Sequence, residues 1–137
     1  MDLYNRPVNT FVAGFIGSPR INFVTRPDTG SAPAPHRELW QLLAVDAPTA
    51  AQRVAIRPEH LGLVTQGPGV AATVELAEQL GDSAIIHLRV EGISELLVAK
   101  VSSAQGSLAA GQRVGLVPAA QGQAMAFDID GQLLPHN

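Results

Sequence analysis

The protein has 137 residues, of which 46% are hydrophobic, 15% are charged and 4% are aromatic, and its net charge is −3. This size and apolar content indicate one globular domain, and the acidic charge argues against the broad basic surface that nucleic-acid binding needs. The one lysine, Lys100, is followed by Val101, so the pattern G-x-x-x-x-G-K-[ST] is absent. The chain is therefore not by itself a P-loop ATPase.

The absence of cysteine excludes disulfides, a cysteine nucleophile and thiolate zinc sites. The four histidines lack the close spacing that is typical of zinc ligands, so we predict no metal site. No apolar run approaches the roughly 18 to 20 residues that span a bilayer, and the N-terminus does not resemble a secretory signal. We therefore expect a cytoplasmic protein.

The first predicted element is a short helix over residues 11–16, which Asn9 and Thr10 cap and Gly17 ends. Its apolar residues fall into i,i+4 pairs, such as Phe11 with Phe15. A helix of about two turns is marginal in water, so it must pack against something. Two interpretations remain open: an amphipathic helix docked on its own domain, or a hinge helix that joins a preceding domain.

The rest of the chain predicts an all-β domain, because apolar residues alternate over short segments that turn residues separate. The predicted strands cover residues 21–25, 38–45, 52–57, 61–64, 70–80, 84–90, 96–101, 113–117 and 125–129. Residues 28–37 and 102–111 lack periodicity and are predicted to be mobile loops. Asp130 and Gly131 form the Asp-Gly pair that is typical of a tight hairpin.

In the strand predicted over residues 70–80, the alternation of apolar and polar residues is interrupted. Val70, Ala72, Val74 and Leu76 share one face, and the same parity then places Glu78 on that apolar face. Three explanations remain open: a β-bulge at residue 77 that reverses the register, a strand end that leaves the sheet, or a partly buried glutamate at an interface.

One cluster could in principle serve catalysis, but it has a simpler interpretation, and the sequence gives no positive sign of a glycosidase-like pair of carboxylates. Arg57, Pro58, Glu59 and His60 could orient a general base, but a proline at a strand end with charged neighbours is more typical of a structural corner. No G-x-S-x-G motif is present, and the serines lie in predicted turns. We predict no catalytic residue.

Two strings in fixed order carry a family resemblance: FVAGFIGSPRINF over residues 11–23 and IRPEHL over residues 56–61. Together they resemble the region that follows the ATPase core in ATP-binding subunits of bacterial ABC importers of the maltose and glycerol-3-phosphate type. Leu3, Tyr4 and Pro7 upstream, and residues 78–81 with 127–128 downstream, extend the match over nearly the whole chain.

This resemblance implies an OB-like β-barrel of the transport-associated type with a short N-terminal connecting helix. Residues 1–20 would be the connector and helix from a missing ATPase domain, and residues 21–137 the regulatory barrel. Met1 is then expected to begin a truncated piece or a broken reading frame. The implied function is a non-catalytic regulatory and dimerisation domain of a sugar-type importer, at the inner face of the cell membrane.

The implied partners are a second copy of the subunit, its own ATPase domain, the membrane subunits indirectly and a regulatory protein, but no nucleic acid. ATP and magnesium are expected only in the missing ATPase domain, and this chain is expected to hold no cofactor. An alternative is a module that binds an oxyanion or small molecule, with Arg57 and Arg89 as donors. An OB-like nucleic-acid binder is less favoured because aromatic residues are few.

The resemblance also assigns residues. The regulatory or interface set is Phe15, Gly17, Ser18, Pro19, Asn22, Glu78 and Gly81. The structural set is Arg57, Pro58, Glu59, His60, Phe127 and Asp128.

Overall fold

The computed structural model describes residues 20–103, 107–119 and 124–135. In chain order these contain β1 (Asn22–Thr25), α1 (Ala34–Leu43), β2 (Arg53–Ile56), a 3₁₀ turn (Pro58–His60), β3 (Leu61–Val64), β4 (Val70–Gln79), β5 (Ser83–Arg89), β6 (Leu97–Ser102), β7 (Arg113–Pro118), β8 (Met125–Phe127) and β9 (Leu133–Leu134). The predicted connecting helix lies outside the described residues, as do Phe15, Gly17, Ser18 and Pro19.

The strands form two antiparallel sheets. The smaller sheet has the order β1-β2-β8-β9, and the larger has the order β3-β7-β4-β5-β6. The edge strands β3 and β6 of the larger sheet lie against each other, so that sheet is nearly closed into a five-stranded barrel. The predicted OB-like barrel is confirmed, and the four-stranded sheet stands beside it.

One hydrophobic core joins the barrel, the smaller sheet and α1, and a second, smaller cluster lies on the other face of the smaller sheet. Strand β2 shows how both arise from alternation: Val54 and Ile56 belong to the main core, whereas Ala55 belongs to the second cluster. Both faces of this sheet are therefore buried around β2.

The strand predicted over residues 38–45 is wrong, because this segment is the helix α1, and the predicted loop over residues 28–37 is wrong where the helix begins. Pro33 and Pro35 stand at the start of the helix, where a missing N–H costs nothing. The buried residues are Leu39, Trp40 and Leu43, a spacing that fits one face of a helix but not the period of a strand. This face packs against β2, β4 and β7.

The other eight predicted strands are present, with ends that differ by at most a few residues. The Asp-Gly hairpin is confirmed as the β8–β9 connection, in which Phe127 pairs with Leu133. Asp128 organises this turn, because its Oδ1 accepts hydrogen bonds from the backbone N–H groups of Asp130 and Gln132, both at 2.9 Å. Strand β8 therefore ends at Phe127 rather than at residue 129.

The register of β4 does reverse at a β-bulge, but two residues before the predicted position. Val74 pairs with Leu88 and Leu76 pairs with His87, which leaves Glu75 as the extra residue. Residues 70–73 pair with β7 and residues 73–79 pair with β5, so that Thr73 belongs to both ladders. The bulge thus lies where β4 leaves β7 and bends.

The amide of Asn22 joins the two sheets. Its Nδ2 donates to the backbone oxygen of Val98 at 2.7 Å, and its Oδ1 accepts from the backbone N–H of Val98, also at 2.7 Å. The side chain therefore continues the hydrogen bonding of a β-ladder from the edge of β1 to the edge of β6. Asn22 is only 4% exposed, so these bonds are shielded from water.

We expect Leu39→Ala to lower the free energy of unfolding by about 2 to 5 kcal/mol, because Leu39 is fully buried and its loss leaves a cavity. The matched control is Leu42→Ala on the exposed side of α1, which should cost less than about 1 kcal/mol. Urea unfolding followed by far-UV circular dichroism measures both. Equal losses would contradict the helical packing.

We expect Asn22→Ala to lower the free energy of unfolding by about 2 to 3 kcal/mol, because the backbone N–H and C=O of Val98 would lose their partners in a partly buried position. Gln41→Ala, on the exposed surface of α1, serves as the control and should be neutral. Urea unfolding followed by the fluorescence of Trp40 reports the difference. An unchanged midpoint for Asn22→Ala would show that the bridge does not hold the sheets together.

Candidate functional site

The bulge in β4 creates the surface that contains Glu78. Because the register reverses after Val74, Ala77 packs against the core while Leu76 and Glu78 face outward. Glu78 therefore lies on the outer surface of the barrel rather than on its apolar inner face. We call the outer side of the β4–β5 hairpin the hairpin face; its members are Glu75, Leu76, Glu78, Leu80, Ile85, His87 and Arg89.

One hydrogen bond and one ion pair frame the hairpin face. His87 Nε2 lies 2.6 Å from Glu78 Oε1, and Arg89 Nε contacts Glu75 Oε1. The side chains keep between 24% and 56% of their accessible surface, so the pairs contribute little to stability. Their effect is to fix the positions of the charges on this surface.

Apolar side chains lie among these charges. Leu76 is 52% exposed and Leu80 is 55% exposed, whereas Ile85, which is paired with Glu78 across the hairpin, is 6% exposed. Exposed leucines beside ordered charges are the composition that protein interfaces use. The hairpin face is therefore a candidate contact surface.

Gly81 lies at the tip of the same hairpin, with a φ of +92° that other residues rarely adopt. The adjacent backbone N–H of Leu80 donates to the oxygen of Ser83 at 2.8 Å, which closes the turn. The structure thus brings two of the predicted interface residues, Glu78 and Gly81, into one hairpin. Asn22 lies elsewhere, buried between β1 and β6, with both amide atoms used inside the domain.

The residues assigned to structural roles occupy turns and the core. Pro58, Glu59 and His60 form the 3₁₀ turn that connects the smaller sheet to the barrel, and Arg57 precedes it with 4% exposure. Phe127 is fully buried in the second cluster.

The corner cluster does not form the oriented general base that its residue types would allow. At the corner, Glu59 is exposed, and His60 Nδ1 is buried with no hydrogen-bond partner in the described part of the chain, so no carboxylate orients the ring through that atom. Among the same residues, no group of three or more His, Asp or Glu side chains is placed to hold a metal ion.

Arg57 and Arg89 do not form the oxyanion site that the alternative hypothesis requires. Arg57 is buried at the corner, and Arg89 lies on the outside of β5, paired with Glu75. Neither guanidinium is a free donor on an open surface.

A cleft that the sequence does not indicate lies between the edge of β1 and the β5–β6 connection. Arg53 and Phe23 line it on one side and Glu95 on the other. Arg53 and Glu95 are 42 positions apart in the chain, and no local pattern marks either of them. Only the arrangement of the two sheets brings them together.

Comparison with known proteins gives a consistent result. The chain is 41% identical over 105 residues to the sn-glycerol-3-phosphate import ATP-binding protein of Ruegeria pomeroyi, covering 72% of this chain and 27% of that protein. It is 35% identical over 141 residues to the protein of the same name from Chromohalobacter salexigens, covering 98% and 37%. It is also 35% identical over 109 residues to the maltose/maltodextrin import ATP-binding protein of Yersinia pestis, covering 72% and 29%.

The chain spans only about a quarter to two fifths of the length of these curated relatives. No helix in the part of the chain described by the structure is long and apolar enough to cross a membrane. The sequence profile of the TOBE domain matches residues 54–124, just over half of the chain, and these residues run from β2 to the start of β8. The fold and the profile agree, and the chain belongs to the TOBE domain family.

Proposed function

We propose that this chain is the non-catalytic regulatory and dimerisation domain of the ATP-binding subunit of a sugar-type ABC importer, which takes up a carbohydrate or a glycerol phosphate. The observation that carries the proposal is the 35% identity to the Chromohalobacter salexigens import protein, which extends over 98% of the chain. Similarity to import proteins for two different substrates supports the class of transporter rather than one substrate.

A non-catalytic role suits the residues of this chain. The one lysine, Lys100, lies on β6 and is not part of a phosphate-binding loop. ATP and magnesium would therefore bind to an ATPase domain of the same subunit. The barrel would act by holding two subunits together and by transmitting the state of its contacts to that domain.

The proposed setting follows from the same relatives. The barrel would contact its own ATPase domain and a second copy of the subunit, and would reach the membrane subunits only through them. The proposed location is the cytoplasm, at the inner face of the cell membrane. A regulatory protein is a further proposed partner, and nucleic acid is not.

The hairpin face is the surface that we assign to contact with the second copy. Leu76 and Leu80 would be removed from water, while the ordered pairs Glu75–Arg89 and Glu78–His87 would lie at the rim. Such an arrangement combines a hydrophobic gain with charges that select the orientation of the partner. Glu78 would then act as an interface residue without being buried within one subunit.

Sedimentation equilibrium of the chain across a wide range of concentrations tests the dimerisation part of the proposal. We expect reversible self-association that Leu76→Asp weakens at least about tenfold, because a carboxylate would be desolvated in the contact. Ile129→Asp is the matched control, since Ile129 is 84% exposed but lies in the β8–β9 connection. A strictly monomeric chain, or equal effects of both variants, would contradict the assignment.

The link to an ATPase subunit has an independent test in the genomic DNA. We expect the reading frame that precedes the codon for Met1 to encode a G-x-x-x-x-G-K-[ST] loop, because the relatives are ATP-binding proteins much longer than this chain. Sequencing that region gives the answer. An upstream frame without such a loop would contradict the proposal that the domain serves an ATPase.

A further inference from the structure

The cleft between β1 and the β5–β6 connection has two continuous parts. The narrower part has a volume of about 170 Å³ and is bounded by Thr25, His36 and residues 92–95. The wider part has a volume of about 490 Å³ and continues past Arg20 and residues 96–98. Phe23, Arg53 and Glu95 line both parts, so they stand where the two meet.

Arg53 is held in place without losing its hydrogen-bond donors. Its guanidinium lies over the ring of Phe23, 4.7 Å from the centroid, and Phe23 in turn packs against Phe127, with 6.2 Å between ring centroids. In the described part of the chain, the guanidinium makes no hydrogen bond and no ion pair. Stacking on an aromatic ring leaves the planar edge of an arginine available for an anion.

The other charged groups of the cleft are also uncommitted. Within residues 20–103, 107–119 and 124–135, neither Arg20 nor Glu95 forms an ion pair. The cleft therefore combines two cationic groups with one carboxylate, and Ser94 lines the narrower part. A ligand that suits this lining carries an anionic group and also hydrogen-bond donors.

The wall opposite β1 is fixed against the helix. A Cβ atom on Gly92 would lie 2.9 Å from the Cβ of His36 and 2.9 Å from the Cδ of Pro33, so the turn and the start of α1 are in close contact. The ring of His36 also bonds through Nε2 to the backbone oxygen of Thr25 at 2.8 Å. The narrower part of the cleft is therefore formed before any ligand arrives, which lowers the entropic cost of binding.

We propose that this cleft binds a small phosphate monoester that also carries hydroxyl groups. The phosphate lies at Arg53 with Arg20 beside it, because an anion with three terminal oxygens can engage two guanidinium groups. The hydroxyl groups of the ligand donate to the carboxylate of Glu95 and exchange hydrogen bonds with Ser94. The binding site is distinct from the hairpin face and does not rest on the proposed transport function.

The lining also distinguishes this ligand from a nucleic acid. Arg53 covers one face of the Phe23 ring, which also contacts Phe127, so a base that stacked on Phe23 would have to compete with the arginine. Inorganic phosphate has no hydroxyl-bearing carbon chain to reach Glu95 and instead meets its negative charge. The site therefore favours the hydroxylated ester over the free anion.

Isothermal titration calorimetry of the chain at low ionic strength tests the proposal with three probes: sn-glycerol 3-phosphate, inorganic phosphate and glycerol. We expect saturable binding of glycerol phosphate, weaker binding of phosphate and none of glycerol. Arg53→Ala should lower the affinity for glycerol phosphate at least about tenfold. Arg113→Ala removes the same charge from an exposed position on β7 and should leave the affinity unchanged.

Glu95→Gln gives a second, independent readout. It should lower the affinity for glycerol phosphate severalfold, because the hydroxyl groups of the ligand lose a charged acceptor. It should raise the affinity for inorganic phosphate, because a repulsive charge is removed. Far-UV circular dichroism confirms that each variant is folded. These opposite shifts are not expected from a change in stability alone.

Three results would overturn the proposal. The first is the absence of binding heat with glycerol phosphate at millimolar concentration. The second is an equal loss of affinity in Arg53→Ala and Arg113→Ala, which would indicate attraction to overall charge. The third is a shift of the same sign for both anions in Glu95→Gln.

Discussion

The fold depends on the constraint that β4 must pair with two neighbours that diverge. At its start β4 pairs with β7, at Thr73 it pairs with both strands, and after Thr73 it pairs with β5 alone. A flat strand of ten residues could not do this, and the extra residue Glu75 lets the strand bend. The bend curves the sheet until β3 and β6 lie against each other and the barrel is nearly closed. The same bulge decides that Glu78 faces outward.

Within the described residues, the two sheets are joined by side chains and not by a shared β-ladder. The smaller sheet and the barrel share one hydrophobic core, yet in the described part of the chain no strand of one forms a ladder with a strand of the other. Asn22 supplies the missing pair of hydrogen bonds to Val98 with its side chain. Because one amide bridges the edges instead of a continuous ladder, an open cleft is left beside the junction, where Arg53 and Glu95 lie.

Much of the architecture was predictable because it is encoded locally. Alternation of apolar residues locates most strands to within a few residues, and Asp130-Gly131 marks a hairpin. The sequence predicts a strand where α1 lies because several apolar residues of the helix also fit a period of two over a short segment. Trp40 next to Leu39, both buried, shows the helical face only once the packing partners are known.

For the candidate sites too, some features follow from the sequence and others only from the packing of the strands. The sequence shows that Glu78 falls at a position where the alternation of β4 predicts an apolar residue. The position of the bulge, however, depends on where β4 leaves β7, which is a property of the sheet. The family resemblance is also evident from the sequence, because it rests on motifs in a fixed order, and it agrees with the TOBE match.

The sequence by itself determined the all-β character, the missing phosphate-binding loop and the family, because each rests on residue types at short or fixed spacing. Only the tertiary structure decided which face carries Glu78, how Asn22 joins the sheets and that Arg53 lies over Phe23 in a cleft shared with Glu95. These features join residues far apart in the chain. Their distances follow from the packing of the two sheets around one core, which no local pattern specifies.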